Sequence, residues 1–295
     1  MYCQHFGLQR APFEMTPDPA FLYLGDTHQE GLATLVYGVQ SRKGFVLLTG
    51  EVGTGKTTLL HALLGQLDAS TRSAFIFNPG LEPADFFRVL FDELGIGIPC
   101  RTKAEYLLAL NQFLIECLQE DQTVVLILDE AQNLSPAMLE EVRLLSNLET
   151  PTSKLIQILL VGQPELNEML DRPELRQLRQ RIVLRHHLVP FTGPEVDAYI
   201  DERLGFAGYE GKSIFDRSAR RQIFEVTGGS PRLINVVCDS ALLAGYAREQ
   251  PTVGADIIRE VARDLQLLST RNGKAAEPGE IRPGKRWFDR FRRTR

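Results

Sequence analysis

Eight residues constrain this chain more than any others. Gly50-Glu51-Val52-Gly53-Thr54-Gly55-Lys56-Thr57 satisfies GxxxxGK[ST] and lies between two apolar stretches of different period. Before it, GFVLLTG (44–50) is short, apolar and closed by glycine, as a buried strand is. After it, Thr58, Leu59 and Leu60 lead into an apolar face through Leu63, Leu64 and Leu67, which predicts a helix. Glycines let such a loop turn so that successive N–H groups face inward, and the helix N-terminus adds its positive dipole end. That is a cradle for phosphate oxygens. Lys56 is predicted to reach the β- and γ-phosphates, and Thr57 to offer its hydroxyl to Mg²⁺. A glycine turn arising by chance is the bland alternative, and the strand before and helix after weigh against it.

Further apolar runs at 74–77, 124–128 and 156–161, with a weaker one at 182–188, alternate with helical patterns at 86–94 and 106–118. This alternation predicts an α/β unit with a mostly parallel sheet covered on both faces. The run Val124-Val125-Leu126-Ile127-Leu128 ends in Asp129 and Glu130. Two acids there can start a helix, but beside a phosphate loop Asp129 is predicted to orient the Mg²⁺ shell and Glu130 to polarise an attacking water. Gln163, closing the next strand, is either a turn residue or a γ-phosphate sensor. The arginines of LRQLRQRI, among them Arg179 and Arg181, are either a solvated helix end or a source of positive charge for a neighbouring subunit's site. Arg232 follows Ser230 and Pro231 at a predicted helix start, where a cation is disfavoured unless an anion such as ATP compensates it.

Past residue 190 the strand pattern stops, and helices are predicted near 193–205, 216–226, 231–247 and 254–268. The expected organisation is a nucleotide-binding unit at 1–190, a small helical unit at 191–268 and a flexible basic tail at 269–295. Four cysteines without a CxxC pair predict neither a disulfide framework nor a zinc site. Without a long apolar run or an apolar signal core, the chain is expected in the cytoplasm. The net charge of -5 is uneven: residues 271–295 hold nine Lys/Arg against three Asp/Glu, so the body is acidic. A globally basic nucleic-acid binder is thereby disfavoured.

Several segments in fixed order carry a family resemblance: FGLQRAPFEMTPDPAFLYLGDTHQEGL, GEVGTGKTTLL, LILDEAQNLSPAMLEEVRLLSNLET, ILLVGQPEL, LRQLRQRI and GGSPRLINVVCDSALL. Together they resemble the AAA+ ATPases of the general secretion pathway protein A (ExeA) family, a group that also holds ATPases of pilus biogenesis and of exosortase and exopolysaccharide loci. The resemblance implies a P-loop AAA+ three-layer sandwich on a five-stranded parallel sheet, followed by a helical lid. It makes Lys56 and Thr57 Walker A residues and Asp129 and Glu130 Walker B residues. Gln163 falls at sensor 1 and Arg232 at sensor 2, while Arg181, with Arg179 second, falls at the arginine finger. ATP and Mg²⁺, a homo-oligomer, and an inner-membrane or envelope-assembly partner are implied with them.

Secretion-type relatives continue into a transmembrane helix and a periplasmic peptidoglycan-binding domain, whereas this sequence runs on into the basic tail, so direct peptidoglycan remodelling is not expected. Trp287, Phe288 and Phe291 among the tail's basic residues suit either an anionic membrane surface at the cytoplasmic face or a disordered segment. The rival function is a nucleic-acid-directed AAA+ ATPase, similar to transposition helpers and replication initiators.

Overall fold

The computed structural model describes residues 1–14, 23–68, 70–77 and 82–268, and the basic tail expected at 269–295 lies outside them. The chain divides into two compact units, one of Leu24–Val189 and one that joins Met1–Tyr23 to the part beginning at Pro190.

The first unit is built on five strands: β1 (Phe45–Gly50), β2 (Thr71–Ile76), β3 (Thr123–Leu128), β4 (Ile156–Gly162) and β5 (Ile182–Leu188). They pair in the order β2-β3-β4-β1-β5, every pairing parallel. All four adjacent connections are therefore crossovers, and helices cover both faces. Alternate residues serve opposite sides of the sheet. Phe45 and Leu47 of β1 join a cluster with Phe86, Phe87 and Leu90 of α4 (Pro83–Leu94), Leu110 and Leu114 of α5 (Lys103–Gln119), and Leu139 and Val142 of α6 (Pro136–Leu145). Val46 and Leu48 join the opposite cluster, with Leu32 and Leu35 of α2 (Asp26–Gln40) and Leu59, Leu60 and Leu63 of α3 (Lys56–Gln66). Two short helices, α7 (Glu165–Leu170) and α8 (Arg176–Arg181), connect β4 to β5. The edge strand β2 departs most from its expected run: it begins at Thr71, three residues before the apolar run at 74, because its first half is solvent-facing polar residues. The weaker fifth run is a strand, with its middle residues alternating between exposed and half-buried.

In the second unit, α9 (Gly193–Phe206), α10 (Arg217–Thr227), α11 (Pro231–Ala247) and α12 (Ala255–Asp264) surround an apolar core that includes Val196, Ile200, Ile223, Ile234 and Ile258. The N-terminal residues belong here, which corrects the expectation that everything from 1 to 190 forms the sheet unit. A short helix, α1 (Tyr2–Phe6), and the turn after it place Phe6, Leu8 and Phe13 in the same core. The Tyr2 hydroxyl donates to Asp239 Oδ1 at 2.6 Å, the Gln9 N–H donates to the Ala207 carbonyl, and the Tyr23 ring stands edge-on to Phe191 and Tyr199. Burial is the main cause holding the Asp239 carboxyl above its usual range, with the Tyr2 hydrogen bond opposing it. Phe13 is only 1% exposed. Phe13→Ala is therefore expected to destabilise this unit by about 3–5 kcal/mol, read as a lower urea midpoint for the full chain; an unchanged midpoint would mean the segment only lies against the surface. Among the described residues no helix is long and apolar enough to cross a membrane.

Candidate functional site

The loop 51–55 joins β1 to α3 at the carboxyl edge of the sheet, where open α/β sheets bind ligands. Gly53 and Gly55 have φ of 78° and 99°, in the left-handed region that favours glycine. At Gly55 a Cβ would also stand 3.1 Å from His28 Nε2. His28 of α2, only 3% exposed, hydrogen-bonds through that nitrogen to the Thr54 carbonyl at 2.7 Å, so it donates there. It thereby holds the loop from behind. Within the loop, Thr54 Oγ1 donates to the Glu51 carbonyl at 2.8 Å. Val52 and Thr58 are exposed.

Lys56 opens α3 and is 7% exposed. Its ammonium donates to the Gly50 and Glu51 carbonyls at 2.7 and 3.1 Å. Burial pulls its pKa below the usual lysine value, while the nearby Glu130, Asp129 and Glu51 carboxylates act in the opposite sense. A buried ammonium bonded only to neutral carbonyls, with acidic groups nearby, is a group prepared for a polyanion.

Asp129 follows β3 and is 5% exposed. Its Oδ2 accepts from Thr57 Oγ1 at 3.4 Å and its Oδ1 from the Glu130 N–H at 2.9 Å. Burial chiefly holds its carboxyl above the ordinary aspartate range, an effect that a cation at this place would reverse. One hydroxyl and one carboxylate are the hard oxygen donors that Mg²⁺ takes from protein when substrate phosphates supply the rest, so the pair fits that ion.

Glu130 has φ of 52°, a left-handed conformation that costs a non-glycine residue about 1–2 kcal/mol. Its Oε2 accepts from the side-chain amides of Gln132 at 2.5 Å and Gln163 at 3.2 Å. Gln163 follows β4, so the ends of β1, β3 and β4 bring Lys56, Thr57, Asp129, Glu130 and Gln163 to one edge. The arginines lie elsewhere. Arg181 donates to Ser146 Oγ at 2.8 Å and Asn147 Oδ1 at 2.7 Å, just past the end of α6. Arg179 pairs with Asp171 at 3.0 Å, both side chains more than half exposed. Arg232 belongs to the helical unit, exposed in the first turn of α11 after Ser230 and Pro231. His28 is absent from the sequence-based set because its partner Thr54 lies 26 residues away, and Gln132, although two residues from Glu130, because its second partner Gln163 lies 31 residues away.

Residues 39–170 match a protein-family profile described as an AAA domain. Over 249 residues the chain is 47% identical to general secretion pathway protein A of Aeromonas hydrophila, a match that covers 84% of this chain. These matches identify an AAA domain at 39–170, in a chain similar to general secretion pathway protein A. The match spans 45% of that relative's length, so less than half of the relative is represented. Solved structures with a similar fold include the Aeropyrum pernix ORC2 protein in its ADPNP–ADP complexes, with a TM-score of 0.62 and 17% identity over 87% of this chain and 72% of that one. The Thermotoga maritima RuvB Holliday junction branch migration motor aligns with a TM-score of 0.56 and 18% identity, over 82% of this chain and 70% of that one. At these identities the likeness concerns the fold.

Proposed function

We propose that this AAA+ protein binds and hydrolyses Mg-ATP to drive or regulate assembly of a bacterial envelope system, whether for secretion, pilus formation or exopolysaccharide export. The observation that carries the reading is the convergence of a buried, carbonyl-bonded Lys56 with Thr57, Asp129, Glu130 and Gln163 at one sheet edge. The backbone of the loop and the first turn of α3 would hold the phosphates, and Lys56 would turn from the Gly50 and Glu51 carbonyls toward them. Thr57 and Asp129 would hold Mg²⁺, which would neutralise charge on the phosphates. Glu130 accepts a proton from the attacking water, and Gln163 senses the γ-phosphate. The name of the Aeromonas relative supports the envelope side of the reading.

Hydrolysis in a homo-oligomer would draw an arginine from a neighbouring subunit and engage Arg232 of the lid. Arg181 is the first candidate finger and Arg179 the second. Arg181→Ala is expected to spare ATP binding and lose hydrolysis, and mixing with Glu130→Gln subunits is expected to restore part of it. Those subunits supply Arg181 to the intact Glu130 of the other variant. Mixtures no more active than their components would argue against a finger acting in trans.

The partner is tested by measuring phosphate release alone, with anionic liposomes and with duplex DNA, for the full chain and for a chain ending at Ser269. Stimulation by liposomes that vanishes on truncation is expected for a membrane-recruited envelope ATPase. Stimulation by DNA with inert liposomes would favour the nucleic-acid-directed reading.

A further inference from the structure

We propose that Gln132 is a positioning residue for hydrolysis, tying the Glu130 carboxylate to the end of β4; this rests on the hydrolase reading above. Three hydrogen bonds close a ring. Gln132 Nε2 donates to Glu130 Oε2 at 2.5 Å, Gln132 Oε1 accepts the Gln163 backbone N–H at 3.0 Å, and Gln163 Nε2 donates to the same Glu130 oxygen at 3.2 Å. The chemistry of the outer two groups dictates the middle one. A backbone N–H only donates and an ionised carboxylate only accepts, so the group between them must accept on one side and donate on the other. A side-chain amide does both. Glutamate at 132 would set a second carboxylate against Glu130, and leucine would leave both neighbours without this partner.

Two further observations point the same way. A Cβ on Gly162 would stand 2.6 Å from Gln132 Oε1 and 2.9 Å from Leu166 Cδ2, so the strand end is kept clear where the amide arrives. Glu130 also sits in the left-handed region, which persists only where surroundings hold it, and the amide ring provides such a hold. Both amide donors converge on Oε2, and among the described residues none donates to Oε1. That oxygen is left to take a proton from water. The ring thus joins the residue that meets the γ-phosphate to the residue that activates water, and displacement of the β4 end moves the base with it.

The test compares Gln132→Leu, Gln132→Glu, Gly162→Ala and the Gln132→Leu/Gly162→Ala double variant in the full chain. It reads kcat, KM, affinity for a non-hydrolysable ATP analogue and melting temperature. Gln132→Leu is expected to lower kcat about tenfold or more, with KM and analogue affinity within about twofold of wild type. Gln132→Glu keeps an acceptor for the Gln163 N–H but loses the donor and sets a second carboxylate against Glu130; its kcat is expected to fall about a hundredfold, further than that of Gln132→Leu. Gly162→Ala is expected to lower kcat in the same way, and the double variant to be no slower than Gln132→Leu alone, as residues acting through one contact are not additive. Turnover of Gln132→Leu and Gln132→Glu within about twofold of an active wild type, a loss confined to KM, or additive losses in the double variant would overturn the assignment while leaving the hydrolase reading intact. A wild type no faster than Lys56→Ala would overturn that reading and this proposal together.

Discussion

Lys56→Ala is expected to abolish detectable binding of Mg-ATP and, with it, hydrolysis. Among the described residues the ammonium is the one cation the sheet unit buries at the phosphate loop, and it donates to the Gly50 and Glu51 carbonyls. Without it, the loop has no full positive charge to offset the phosphates, while Asp129, Glu130 and Glu51 remain close. Ligand-linked stability separates this loss from misfolding. A non-hydrolysable analogue at a hundred times its Kd is expected to stabilise the wild-type chain by about 2.7 kcal/mol. The variant is expected to gain nothing at the same concentration while keeping its ligand-free melting transition. Equal thermal stabilisation of both chains would remove Lys56 from the site.

Glu130→Gln is expected to behave in the opposite manner, binding ATP with near wild-type affinity and turning over about 10²–10⁴-fold more slowly, the range a positioned general base supplies. The substitution keeps the side chain's shape and removes its charge. It also sets an amide against the Gln132 and Gln163 amides, but an amide oxygen at the same place still accepts from them, so the ring survives in weakened form. The measurement is a pair of curves, analogue binding and phosphate release, on one preparation. Parallel loss of affinity in Glu130→Gln and Lys56→Ala would mean the two residues do not divide binding from chemistry.

What sequence reasoning reaches here depends on the range over which each feature is determined. The strand, glycine loop and helix at 44–67 were legible because period and turn chemistry are local, and Asp129 and Glu130 because an apolar run pointed at them. The polar first half of β2 carries no apolar signal, since a solvent-facing edge strand needs none. The N-terminal segment is assigned to the sheet unit by chain continuity, yet Phe6, Leu8 and Phe13 find their partners in α9–α12, about two hundred positions away. His28 stands in no element predicted from the sequence, and only the packed α2 brings it to Thr54. Gln132 is visible as a letter beside the two acids, but its purpose depends on where β4 ends, and only the folded sheet brings Gln163 within reach.

The most direct measurement is Mg²⁺-dependent phosphate release from ATP by the purified full chain, run beside Lys56→Ala and Glu130→Gln. A hydrolase at this sheet edge should release phosphate steadily in the wild type, lose the activity when Mg²⁺ is chelated, and lose it in both variants while only Glu130→Gln retains ATP. Wild-type release no faster than that of either variant, or release indifferent to Mg²⁺ and to Glu130, would contradict it.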